Sequence, residues 1–391
     1  MFSIPTGGQS VLCVLVLNGF GSQGLRRSRK LLSRLRNHYP AIWQTPGCSQ
    51  LSLHCSQPLW KRAILAVDCC TQGRLLSPEH GTGLARKIGA DIACRLIDVG
   101  AVKHPFIHCT DADVVLPVGY FDVQPAPEDV ALVYPFELWC AGDSSAQRVQ
   151  LMQMYKLHYE RSGLDWARSP YTFHTAARAL AVDSGDYAAA GGFPKIADNE
   201  AFYLLNELSK LGRVRSLSSP TLGVHQNGDS MGPLEEPRFL HPQVFFYLKT
   251  WLKQMSEFWG KRKTFCQLGF GRILTRGLAY ERASGLSAEI LQKVLESMGA
   301  EQAVRHGLER ARTREEFLKS LHTWFDAAKT RRFLNLLSCS YYPSVSLPQT
   351  LLRAPFTPKL SQNWGHGIDP LQTAVAAFRE REILQAIKAE S

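Results

Sequence analysis

Three apolar runs separated by amphipathic helices confine this chain to one fold class. Val11-Leu-Cys-Val-Leu-Val-Leu17 is a continuous apolar run broken by Asn18-Gly19, the pattern of a strand covered on both faces. From Leu25 to Arg36, Leu25, Leu32 and Leu35 share one helical face and most of the arginines take the other. Arg62-Ala-Ile-Leu-Ala-Val-Asp68 is a second buried strand, closing on an acid. A helix over 83–99 carries Leu84, Ile88, Ile92 and Leu96 at helical spacing and leads into a third strand that ends at Asp111. Strand, helix, strand, helix, strand predicts a parallel α/β sheet. Ligands of such sheets bind beyond the carboxyl ends of the strands. Asn18, Asp68, Asp111 and Asp113 all fall there.

Further along, Leu132 to Phe136 reads as a strand and Ala146 to Arg161 as a helix. Gly191-Gly192-Phe193-Pro194 is a turn, and Asn199 to Leu211 a helix ended by Gly212. The polar, Gly- and Pro-rich stretch from Gly223 to Pro237 marks a boundary, giving two expected domains, 1–235 and 236–391. Beyond it the pattern is helical to about Leu337, irregular from Pro343 to Pro358, and helical again from Leu371 to Ala389. A chain of 391 residues has ample apolar content for both cores.

The charge is unevenly placed. Lys+Arg number 45 against 34 Asp+Glu, and no acid precedes Asp68, whereas Arg26, Arg27, Arg29, Lys30, Arg34 and Arg36 all do. Such a field suits a diphosphate, an anionic membrane surface or nucleic acid. No zinc finger, helix-turn-helix or RNA-reading aromatic platform accompanies it, so nucleic acid is the weakest of the three. The ten cysteines lack any C-x-x-C pair. Scattered thiols, with no secretory leader at Met1, lead to the expectation of a reducing cytoplasm. Val11 to Leu17 is far too short to cross a bilayer. Any membrane contact is therefore expected to be peripheral, through the basic amphipathic segment 241–263, where Phe245, Leu248, Leu252, Met255 and Trp259 form a stripe. The same stripe equally reads as a helix docked on the catalytic domain.

Residues 106–117 read Phe-Ile-His-Cys-Thr-Asp-Ala-Asp-Val-Val-Leu-Pro. Carboxylates at i and i+2 on extended backbone point the same way, so Asp111 and Asp113 can converge on one Mn²⁺ or Mg²⁺ bridging a nucleoside diphosphate. The plainer alternative is an Asp-rich turn after a strand. Taken in order, Val-Asp68, the helix opening at Gly83-Leu-Ala-Arg86, Thr-Asp111-Ala-Asp113, Gly191-Gly192-Phe193-Pro194, and Glu200 in a helix ending at Leu211-Gly212 resemble a family 2 glycosyltransferase of the GT-A fold. The resemblance spans roughly residues 10 to 225. It implies an α/β, Rossmann-type sandwich with a helical C-terminal extension, and transfer of a sugar from a nucleotide-sugar donor to an acceptor hydroxyl with inversion. The acceptor class, whether glycan, lipid-linked or small molecule, stays open.

By that resemblance Asp68 reads the nucleobase, Arg86 lies by the donor, Asp111 sits near ribose and metal, and Asp113 ligates the metal; Asn18, at a strand's carboxyl end, is a further nucleotide-sugar-binding candidate. Otherwise, Asp68 is a strand-end acid capping its loop and Arg86 a helix-surface arginine. His225 is a candidate third metal ligand, or simply a solvated histidine. The family's Glu-Asp pair is broken: Glu200 takes the Glu position and Ala201 the position of the catalytic Asp. Asp198 and Glu200 are then the candidate bases, or the protein binds donors without processing them. A competing fingerprint, Gly19-Phe-Gly21-Ser-Gln-Gly24, would suit an NADP-dependent oxidoreductase. It lacks the acid expected about twenty residues on. Tyr155, His158, Trp166 and Tyr171 are either acceptor-pocket or core aromatics.

Overall fold

The computed structural model describes residues 8–55, 62–140, 144–173, 178–226, 237–279, 285–359 and 370–390. They form two compact units. The first holds the described residues up to Trp139 and those from 178 to Gln226; the second holds Cys140 to Phe173 and the described residues from 237 onward. The second unit is thus discontinuous in sequence, taking in a helix that precedes the last strands of the first. Most of the segment expected as a boundary, 227–236, lies outside the described residues.

The protein is α/β with mixed sheets. In the first unit β1 (Val11–Leu17) is followed by α1 (Gly21–His38), β2 (Ala41–Gln44), β3 (Leu51–Cys55) and β4 (Arg62–Asp68). Strands β1 and β4 run parallel, in register from Val11 opposite Arg62 to Leu17 opposite Asp68. The stripe expected on α1 is where its burial occurs: Leu32 and Leu35 pack with Leu17, Ile64, Ala66 and Cys70. The hairpin β2–β3 pairs antiparallel with β4 and completes the sheet as β1-β4-β3-β2. It carries no apolar run, because β2 is largely exposed and β3 alternates.

Next come α2 (Gly81–Asp98), β5 (Phe106–Thr110), β6 (Val114–Val115), β7 (Asp129–Val133) and β8 (Phe136–Cys140). After α3 (Ser144–Trp166), which belongs to the second unit, follow β9 (Ala179–Asp183), α4 (Ser184–Ala189), α5 (Glu200–Leu208), β10 (Arg213–Ser216) and β11 (Leu222–Gln226). Here the expectation of one parallel sheet is corrected. Strand β5 does not continue the β1–β4 sheet; it pairs antiparallel with β9, within a second sheet ordered β10-β7-β9-β5. Only β10 and β7 run parallel in it. Helical periodicity tells which elements form, but not which strand edge each one finds. A third, small sheet has the order β6-β11-β8. Asp129, fully enclosed, fastens β10 beside β7: it accepts from the Ala126 N–H at 2.8 Å and from Arg213 and Arg215 Nε at 2.6 and 2.8 Å.

His108 in β5 introduces a pH dependence. Its ring packs edge-on against Tyr120 and Phe121 at centroid separations of 5.3 and 5.0 Å, and its Nδ1 is buried without a partner. Burial, helped by nearby His104, lowers its pKa from 6.5 to about 4. The unfolded chain therefore takes up a proton here between pH 6.5 and 4 that the fold refuses. Stability present above pH 6.5 is lost as pH falls through that window, by about 3 kcal/mol in all. Denaturant midpoints measured at pH 7 and pH 4.5 should drop less for His108→Phe than for the wild type. An identical drop would show that another group carries the acid sensitivity.

The second unit is helical: α3, then α6 (Pro242–Glu257), α7 (Arg262–Leu268), α8 (Phe270–Ala279), α9 (Ala288–Ser297), α10 (Ala300–Arg310), α11 (Arg314–Trp324), α12 (Ala327–Ser340), α13 (Leu347–Arg353) and α14 (Pro370–Glu390). Helix α13 interrupts the stretch expected to be irregular; Pro at its first turn and a Ser346–Gln349 capping box start it. The α6 stripe is internal, with Phe245, Leu248, Leu252 and Met255 all buried and α3, α8, α11 and α12 packed on the helix. The apolar face on which peripheral membrane contact was to rest is therefore occupied within this unit. Tyr155, His158 and Tyr171 are also core here, Tyr155 hydrogen-bonded to Thr350 at 2.8 Å and His158 to Glu382 at 2.8 Å. Among the described residues, no helix is long and apolar enough to cross a membrane.

Candidate functional site

Two glycines start the site. At Gly81 an added Cβ would lie 2.3 Å from Ala197 Cα, and at Gly83 one would lie 2.4 Å from the carbonyl oxygens of Pro194 and Ile196. Their absence of a side chain lets residues 194–197 lie against the first turn of α2. The Gly83 N–H donates to Ile196 O at 3.1 Å and Thr82 Oγ1 to Ala197 O at 3.2 Å. This contact delivers α5 to α2. One turn further along α2, Arg86 reaches both ways: Nη2 donates to Asp111 Oδ1, and Nε lies 3.2 Å from Glu200 Oε1. The sequence-predicted Arg86, Asp111 and Glu200 are thus brought together as one ion-paired cluster.

Asp111 takes a second cation. Its Oδ2 lies 3.4 Å from Arg178 Nη1, and its N–H donates to the Arg178 carbonyl at 3.3 Å. Asp111 and Asp113 do not sit on extended backbone as expected. Residues 111–114 form a turn closed by the Val114 N–H to Asp111 O at 3.3 Å, so the two carboxylates have separate surroundings. Both Asp111 oxygens are held by guanidinium groups, while Asp113 Oδ1 is buried with no hydrogen-bond partner. Arg178 Nε is likewise buried and unpartnered. Each such atom costs roughly 1–3 kcal/mol of desolvation with nothing in return.

His225 is joined to this turn through the small sheet. Strands β11 and β6 pair antiparallel with Gly223 opposite Val115 and Val224 opposite Val114, and the His225 N–H donates to Asp113 O at 2.8 Å. The imidazole is exposed and meets Trp139 of β8 edge-on at 5.5 Å. Among the described residues, no three His, Cys, Asp or Glu side chains gather as a ready-made metal cage.

The remaining candidates are engaged by other partners. Asn18 and Asp68 follow and close the paired strands β1 and β4. Asp68 is buried, and its carboxylate is taken up locally by the N–H groups of Cys70 and Thr71 at 3.1 and 3.0 Å, Thr71 Oγ1 at 2.7 Å and Arg74 at 3.1 Å. Burial opposes its ionisation, but these hydrogen bonds prevail and hold its pKa below the ordinary carboxylate range. In this conformation Asp68 shapes the loop after β4. Gly19 lies between β1 and α1, and Gly21 and Gly24 lie in the first turn of α1. A Cβ on Gly19 would come within 2.5 Å of the Gly24 carbonyl carbon, so close packing on the first turn of α1 accounts for Gly19, whereas a Cβ on Gly24 would meet Gly19 only at 3.6 Å.

The two candidate bases differ. Asp198 is exposed; Glu200 is buried and paired with Arg86. Ala201, which stands where the resembled family has its Asp, is 6 % exposed on the inner face of α5. Ala201→Asp would bury a carboxylate, and its thermal midpoint should fall by the equivalent of roughly 3 kcal/mol or more. A midpoint equal to wild type would show that the new carboxylate reaches solvent or the Arg86 cluster.

Arg178 and Trp139 were not legible as site residues. Arg178 belongs to no motif; its one signal is the buried-strand run Ala179-Leu-Ala-Val-Asp183 just after it, a near copy of the run ending at Asp68. No family model, no curated protein and no solved structure matches this chain.

Proposed function

We propose that the first unit binds a nucleoside-diphosphate sugar and transfers the sugar to an acceptor hydroxyl, in the manner of a GT-A, family 2 glycosyltransferase. The observation that carries this reading is the pair of buried, unpartnered groups beside Asp111: an acid oxygen on Asp113 and a guanidinium N–H on Arg178. A site that keeps both an acceptor and a cationic donor unpaired suits a ligand bringing both a cation and an anion. A metal-bound diphosphate is such a ligand.

The residues fit a divalent metal held jointly with the ligand. Mg²⁺ is commonly held by one or two carboxylates plus substrate phosphates, so a full protein cage is not required. Asp113 supplies the oxygen, His225 is the neighbouring candidate, and Asp111 is engaged with its arginines. When bound, Mn²⁺ or Mg²⁺ supplies charge stabilisation to the departing diphosphate. Arg178 and Arg86 provide guanidinium groups for phosphate oxygens, with Glu200 and Asp111 fixing the orientation of Arg86. Exposure of Asp198 next to Asn199-Glu200 supports its role as the carboxylate that accepts the proton of the acceptor hydroxyl as its oxygen displaces the diphosphate from the anomeric carbon.

One observation favours a second reading. Ala201 is buried on α5, so no carboxylate occupies the family's base position, and a protein that binds donors without turning them over fits the same cluster. A thermal-shift panel of UDP, GDP, their sugar derivatives and NADP, with and without Mn²⁺, tests the binding. Metal-dependent stabilisation by a nucleoside diphosphate is expected. Metal-independent stabilisation by NADP alone would point to the glycine fingerprint and an oxidoreductase instead.

A further inference from the structure

Resting on that transferase reading, we propose that the open face of the β6-β11-β8 sheet is a saccharide subsite, with the indole of Trp139 as the platform on which a pyranose ring stacks. Trp139 is 44 % exposed, a large apolar surface left in water, and its neighbour His225 is hydrogen-bonded through its N–H to the Asp113 carbonyl. The indole is nevertheless held firmly. A Cβ on Gly223 would come within 2.5 Å of its six-membered ring, so the indole lies directly on the β11 backbone. The His225 ring braces it edge-on at 5.5 Å and 81°.

Register places the rest of the subsite. Residues directly opposite in an antiparallel pair point to the same face, as do residues two apart on one strand. Val115 stands opposite Gly223, and His225 is two residues beyond Gly223 and bonded through its N–H to Asp113. One face therefore presents Val115, 40 % exposed, the Trp139 indole and the His225 imidazole. Next to it is the Asp113 turn.

A pre-positioned aromatic surface with an imidazole at its rim matches a pyranose, which has an apolar face of C–H bonds and a rim of hydroxyls. A fixed indole also loses little side-chain freedom on binding. Asp113, which we place at the diphosphate, is tied to β11 through the His225 N–H, and β11 is also the strand on which the Trp139 indole lies; the donor's sugar is the group bonded directly to the diphosphate. A nucleobase would stack on the indole too, and comparing UDP with its sugar derivatives separates the two.

The test uses the full chain and calorimetry with four probes: UDP, UDP-glucose and UDP-N-acetylglucosamine with Mn²⁺, and free gluco-oligosaccharides. Trp139→Ala should weaken the sugar-bearing ligands about tenfold or more and leave UDP unchanged. Trp139→Phe should retain most of the affinity. Gly223→Val, which keeps the tryptophan but displaces it, should reproduce the alanine result, with thermal midpoints recorded for all three. Equal losses for UDP and UDP-sugars would assign the platform to the base and overturn the subsite, as would sugar binding that ignores all three variants. Saccharide binding that depends on Trp139 in the absence of any nucleotide binding would remove the transferase reading and keep the subsite. No binding of either class would remove both.

Discussion

Asp113→Ala should abolish the Mn²⁺-enhanced part of nucleoside diphosphate binding while leaving the thermal midpoint of the free protein unchanged or raised. The reason is the orphaned oxygen. In the free protein Asp113 Oδ1 is desolvated and has no partner, so removing it relieves a cost of roughly 1–3 kcal/mol. In the complex the same oxygen would gain its partner, and a ligand at a hundred times its Kd stabilises the fold by about 2.7 kcal/mol. That ligand-dependent shift is what the substitution should erase. Asp111→Ala is the contrasting case. It strips Arg86 and Arg178 of a shared counter-ion, so the midpoint should fall without any ligand present. Survival of Mn²⁺-dependent stabilisation in Asp113→Ala would show that the metal, if bound, is held elsewhere.

Asp198→Ala should slow sugar transfer by roughly 10²- to 10⁴-fold with donor affinity nearly unchanged. Its exposure lets it meet an incoming hydroxyl. Glu200 is committed to Arg86, so Glu200→Gln should act chiefly through donor affinity, by loosening the arginine. Single-turnover rates and donor titrations on the two variants separate these effects. A dead Glu200→Gln with normal donor affinity beside an unaffected Asp198→Ala would move the base to Glu200. Wild-type turnover untouched by both would refute either carboxylate as the base, and no turnover in any form would favour the donor-binding protein.

The legible and illegible parts of the fold divide along physical lines. The α1 stripe and the apolar runs of β1, β4 and β5 were readable because burial imposes a period or a continuous run on them. The hairpin β2–β3 was not, since an edge hairpin with one exposed strand imposes neither. Strand β9 has the same buried-run character as β4 but no motif beside it to single it out. The α6 stripe showed that the helix buries one face. It did not show that the other helices of the second unit cover that face.

The candidate site divides the same way. Residue type and order, through the family resemblance, marked Arg86, Asp111 and Asp113 as donor and metal candidates and Glu200 as a candidate base. Pairing was decided only in three dimensions. Asp111 and Asp113 look equivalent in the chain, yet a turn separates them, two arginines far away in sequence engage one, and the other keeps a bare oxygen. Asp68 was marked as a strand-end acid, but its use by its own loop follows from the path of residues 70–74. Local sequence sets which side chains an element offers and to which face. Which of them meet depends on strand pairing and close backbone approaches, at Gly83 against Ile196 and at Gly223 beneath Trp139, and these join residues more than eighty positions apart.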